Sequence, residues 1–204
     1  MSKTPPLPSP TCQAPSIIRA ALFHARAGDA AALRAALAEG APLEARNQRG
    51  ETLLHIACGR GRLDAVRLLL ARGADPESRS VHGFTPLTTG VIDADRQLVA
   101  LLLDFGADPD GAGPEGLTAL MLAAMLDRVE LVQLLLERGA SKSLALADGS
   151  TALSLAVGVG AQRAVQLLLA SVGAQRGSRC RPPRPVTAVS DRRRPVLPRR
   201  EPPG

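Results

Sequence analysis

The chain has 204 residues, 45% of them hydrophobic yet only 1% aromatic, with no Trp and no Tyr. A core of Leu, Ala and Val suits helices packed at close range more than a β-sandwich. The formal charge of +6 belongs to one end, because residues 175–204 hold nine Arg against Asp191 and Glu201; residues 1–174 are close to neutral, which argues against a nucleic-acid-binding surface on the folded part.

In chain order, residues 1–15 carry five prolines and no helical period, and read as a disordered lead-in without the apolar run of a signal peptide. Residues 16–46 read as a degenerate first unit. Ile17, Ile18, Ala21, Leu22 and Ala25 give one helical face, Gly28 breaks it, and Leu33 and Leu37 begin a second. Arg19 and Arg26 fit a capping unit, whose outer side must tolerate water. Four fuller units follow at 47–79, 80–112, 113–145 and 146–174. Thr52, Thr85, Thr118 and Thr151 stand 33 residues apart, and each opens a phrase of a small or apolar residue and a leucine. Gly-Ala recurs in step at 40, 73, 106 and 139, then at 173, and a triple leucine precedes each of the last four. A fixed period of this length marks a stacked array, because a single unit cannot bury its own leucines.

Each unit reads as two short helices. In the first, Leu54, Ile56, Ala57 and Cys58 lie on a helix ending near Gly59, and Leu63, Val66, Leu69 and Leu70 lie on the next, which Gly73 stops. In the second, Thr85 is a plausible N-cap with Pro86 at the first helical position and Leu87 pointing inward. Alanines at 57, 123 and 156 let neighbouring helices approach closely. From residue 175 the pattern stops, and residues 175–204 read as a disordered Pro/Arg-rich tail with seven Pro.

The phrases Gly50 to Ala57, Leu68 to Pro76 and Leu101 to Pro109, together with the 33-residue period, resemble the ankyrin repeat over residues 16–174. The resemblance implies an all-α solenoid of stacked antiparallel helix pairs with β-hairpin or turn fingers. It also implies protein binding across a concave face, without catalytic residues. The sequence departs from the pattern in two ways. Only His55 keeps the motif histidine, which Thr88, Met121 and Ser154 replace, and Gly90 stands where alanine is usual. Glycine beside β-branched residues costs the helix around 87–93 about 1–2 kcal/mol of propensity, so it is expected to be short or the softest of the set.

No pattern carries chemistry beyond the scaffold. Gly111, Gly113 and Gly116 fit a dinucleotide fingerprint but lack a βαβ context and fall in phase with the other finger turns. His55 and Cys58 lie close in sequence, yet one is the motif histidine and the other faces the core. Cys12, Cys58 and Cys180 have no metal-ligand spacing, and their odd number fits a reducing compartment. No catalytic, cofactor or metal site is expected. The recurring Asp75, Asp108 and Asp110 follow the recurring turn.

The candidate partner-binding residues are Arg49, Arg60, Val81, Phe84, Ile92, Leu117, Met125 and Leu126, which form an apolar patch on the second and third repeats flanked by arginines. Phe84→Ala with Met125→Ala is expected to abolish capture of a protein partner with little change in the melt. The last repeat lacks a polar cap and should expose apolar surface, open to a partner or to self-association. In the tail, Arg179 to Pro185 and Pro195 to Arg200 fit ligands of SH3-type domains, and Arg192–Arg194 fits nuclear import or phosphate contact. The reading is a soluble cytoplasmic adaptor, scaffold or inhibitor with no membrane span. The alternative is a nuclear or nucleic-acid-associated regulator that uses the Arg-rich tail.

Overall fold

The computed structural model describes residues 14–93 and 96–170. Ten α-helices run through them: α1 (Ala14–Ala27), α2 (Ala30–Ala38), α3 (Leu53–Cys58), α4 (Leu63–Ala71), α5 (Pro86–Asp93), α6 (Arg96–Asp104), α7 (Ala119–Met125), α8 (Val129–Glu137), α9 (Ala152–Val159) and α10 (Gln162–Ala170). The odd-numbered helices pack side by side in order as one layer, and the even-numbered helices form the second. The core lies between the layers. It is built from leucines such as Leu33, Leu69, Leu102 and Leu135, with Ala57, Ala123 and Ala156 fully buried at the close approaches. The first unit begins at Ala14, slightly ahead of the expected boundary, and α1 at 14 residues is the longest helix described.

Each sequence marker has a mechanical role. Each threonine caps its helix: Thr52, Thr85, Thr118 and Thr151 accept through Oγ1 from the amides of His55, Thr88, Met121 and Ser154, at 3.2–3.4 Å. This satisfies a helix-end donor that would otherwise be orphaned. The Gly-Ala pair closes the second helix of each of the first four units. In α4 the Gly73 amide donates to Leu70 O (3.0 Å) and the Ala74 amide to Leu69 O (3.0 Å), the paired bonds of a Schellman cap. That cap needs a left-handed residue, and Gly73 sits at φ 87°. The alanine that follows is buried in every case, at 41, 74, 107 and 140.

Helix α5 is not short. It spans eight residues, against six for α3 and seven for α7. Pro86 pre-sets its first turn, and the Thr88 hydroxyl both accepts from the Thr85 amide (2.9 Å) and donates to Thr85 O (3.0 Å). Gly90 is buried facing Leu98 and Leu102 of α6, so packing holds the helix where propensity is weak.

The fingers between helix pairs are tight turns, with single antiparallel bridges at Arg46–Thr52 and Ala145–Thr151. Two ladders with the same 33-residue step hold them in line. Glu44, Glu77 and Asp110 each accept from the backbone amide of the next unit, at Asp75 (3.0 Å), Asp108 (2.9 Å) and Ser141 (2.8 Å). Arg46 donates through Nη1 to Arg79 O (2.6 Å), and Arg79 donates likewise to Ala112 O (2.6 Å). The arginine ladder ends there, because position 112 is alanine.

Candidate functional site

The first three odd-numbered helices and the first finger enclose a groove of about 750 Å³. Helix α1 contributes Arg19, Leu22, Phe23 and Arg26, and the finger contributes Arg49 and Glu51. Ile56 and Arg60 come from α3 and the turn after it, and Thr89 and Asp93 from α5. Arg19 and Arg26, expected on the outer side of a cap, therefore line the groove. The physical reason is that α1 packs in the same layer as α3, so its arginine-bearing face continues the face that carries Arg60. Phe23 is 65% exposed, with its ring edge-on to His24 at 5.6 Å. The sequence reading passed over it; the available signal was its register, 33 residues before Ile56.

The candidate residues fall into separate sets. Arg49 and Arg60 are exposed and line the groove. Ile92 and Met125 repeat the register of Gly59, and Leu126 repeats that of Arg60, so these three continue the groove's line along α5 and α7. Leu126 is 47% exposed, while Ile92 and Met125 are half-buried. On the second finger, Val81 is 73% exposed; its amide donates to Arg49 O (3.1 Å) and its Cγ2 lies over Gly50. A Cβ at position 50 would stand 2.7 Å from that methyl, so only glycine permits the two fingers to meet this closely. Phe84 is half-buried, its amide donating to Ser80 Oγ (3.1 Å), and Leu117 packs against the core. Val81 and Leu126 are thus the open apolar members.

His55 is structural. Its Nδ1 accepts from the Thr52 amide (3.4 Å) and lies 2.9 Å from Thr52 Oγ1, which leaves Nε2 as the donor to Phe84 O of the next finger (2.8 Å). Burial pushes its pKa below the usual imidazole value, against the pull of the Phe84 carbonyl, and so favours this neutral state. Burial also drives the Cys58 thiol far up, leaving it protonated and a poor nucleophile. The glycine fingerprint is a finger turn: the Gly113 amide donates to Leu117 O (2.7 Å) across the 3-10 turn Pro114–Gly116.

At the far end of the described array, Val157 is 60% exposed, whereas Cys58, Val91 and Ala124 in the same register are buried beneath the following repeat. Val159 and Leu169 are each 54% exposed nearby. The lead-in up to residue 13, the marker at 173 and the tail motifs at 179–185, 192–194 and 195–200 lie outside the described residues. No described helix is long and apolar enough to cross a membrane. A family model described as ankyrin repeats in three copies matches residues 19–111 and 91–179. A search of curated proteins finds no match.

Proposed function

The chain belongs to the ankyrin-repeat family, and we propose that it works as a non-enzymatic binding module, an adaptor, scaffold or inhibitor, whose partner lies along the groove and fingers. Ankyrin repeats are protein-interaction modules; the specific role and the site residues Arg49, Arg60, Val81, Phe84, Ile92, Leu117, Met125 and Leu126 are the proposal. The observation that carries it is the exposure of Val81 and Leu126 in an array that also carries an open groove lined by α1, α3, α5 and the first finger. Exposed apolar side chains contribute to binding when a partner removes them from water, at about 25 cal/mol per Å² before ordering costs.

The test compares the full chain with Val81→Ser and Leu126→Ser combined. These two sites suit the purpose better than Phe84 and Met125, which are half-buried and hold structure. The expected result is loss of a specific co-purifying protein with an unchanged thermal melt. Retention of that protein by the double variant sinks the placement on this face. A second reading, a nucleic-acid-associated regulator, rests on the nine Arg of residues 175–204. Deleting them and losing salt-sensitive nucleic-acid binding would favour it.

A further inference from the structure

The array between residues 14 and 170 holds 15 Lys and Arg against 17 Asp and Glu, so it is slightly acidic as a whole. Its groove is not. Arg19, Arg26, Arg49 and Arg60 line it against the carboxylates of Glu51 and Asp93. Glu51 is held by the Asn47 side-chain amide (2.7 Å) rather than by a guanidinium. The ion pairs Arg96–Glu137 and Arg138–Asp104 lie elsewhere, and no carboxylate among the described residues pairs with the four groove arginines. Four arginines against two carboxylates leave an excess of positive charge in the groove of an array that is slightly acidic as a whole, and a negatively charged occupant offsets it.

Along the same register the lining changes character. Arg60 is followed by Asp93, Leu126 and Val159, and Arg26 and Gly59 by Ile92 and Met125. The basic end therefore runs into an apolar stretch on α5 and α7. We infer that the groove takes an extended acidic peptide segment of the partner, with its carboxylates between α1 and the first finger and apolar side chains following along α5 and α7. This rests on the binding-module reading and gives it a partner chemistry. Inner helices spaced 8–10 Å apart put α7 about 24–30 Å from α1. At 3.3–3.6 Å per extended residue, a segment of about seven to nine residues spans them. Nucleic acid fits less well, because Ile92, Met125 and Leu126 give a polyanion nothing to pair with along that stretch, where Arg128, donating to the Ile92 carbonyl (2.9 Å), stands beside apolar side chains.

The test pans the full chain against a displayed library of random peptides of about twelve residues, long enough to span the groove. Enriched sequences should carry Asp and Glu above the input frequency, together with apolar positions. Their affinity should fall about tenfold or more with Arg26→Glu and Arg60→Glu combined, and weaken as salt rises from about 50 to 300 mM. Arg67→Glu, on the exposed side of α4, should change it less than about twofold. Enriched peptides without acidic bias that still require Val81 and Leu126 would overturn the acidic-segment inference and leave the module intact. Absence of enrichment, or enrichment indifferent to both residue sets, would overturn the inference, while the module reading stands or falls by the co-purification test with Val81→Ser and Leu126→Ser. A single-stranded oligonucleotide that loses affinity with Arg26→Glu and Arg60→Glu as steeply as the peptides do would make the groove a nucleic-acid site and overturn the inference.

Discussion

His55 is the side chain whose loss should divide local from inter-repeat stability. In His55→Thr the hydroxyl can take over the bond to the Thr52 amide, as Thr88 does for Thr85 at 2.9 Å. The Nε2–H to Phe84 O bond, which joins the first repeat to the second finger, is lost. The Phe84 carbonyl still accepts from the Ser80 amide (3.0 Å), so it is not orphaned, and the net cost should be about 1 kcal/mol plus a small packing loss. His55→Ala removes both bonds and empties a site that is 1% exposed, so it should cost about 2–4 kcal/mol. Urea denaturation of the full chain measures the difference. The pH dependence gives an independent reading. The folded pKa lies below the unfolded value of 6.5, chiefly through burial. Between the two values the unfolded chain binds more protons, so stability is full above about 6.5 and declines as pH falls through the window. That decline should be absent from His55→Thr and therefore appear in the difference between wild type and the variant. Equal costs for Thr and Ala, or the same pH profile with and without the imidazole, would refute the assignment.

Glu77 offers the opposite sign. Burial first, then Asp108 and Asp75, raises its pKa above 4.5 while its Oε1 accepts from the Asp108 amide. Glu77→Gln keeps the acceptor and should be as stable as wild type at neutral pH or more so, whereas Glu77→Ala should be less stable by about 1 kcal/mol in denaturant melts. Relative to Glu77→Gln, wild type should lose stability as pH rises from about 4.5 through the raised folded pKa, because the folded state holds that proton more tightly. Gly90→Ala should gain up to about 1 kcal/mol of helix propensity, since the new methyl meets only the movable ends of Leu98 (3.2 Å) and Leu102 (3.6 Å). In hydrogen exchange, wild-type 87–93 should be less protected than 120–126, and Gly90→Ala should narrow the gap; equal protection in wild type defeats the idea. Ala112→Arg should extend the finger ladder onto the carbonyl of residue 145 and raise the melt slightly, by about 0.5 kcal/mol at this exposed edge. A lower melt would show that the ladder cannot be continued there.

Much of the fold is written in local bonds, and local bonds are legible in sequence. Thr52 and its three counterparts cap helices three residues ahead, and the Gly-Ala pairs at 40, 73, 106 and 139 close helices five residues behind, so spacing alone determined the helix pairs and their order. His55 and Cys58 were readable as scaffold for the same reason. Other features depend on neighbours a full repeat away. Nothing local marks Glu44, Glu77 and Asp110 as rungs, or tells that Asp127, left-handed at φ 51° two repeats on from Gly61 in the same register, accepts from the Ala164 amide of α10 at 2.8 Å. Helix α5 keeps its length because α6 packs against Gly90, a contact that propensity does not see. The groove belongs wholly to this second class. Arg19 and Arg26 look like solvated cap residues until α1 is placed beside α3, and Phe84 looks open until its finger packs on the repeat before it. Sequence determined the period, the caps and the buried leucines; only the lateral packing of one repeat on the next decided which arginines face a shared groove and which apolar side chains remain free.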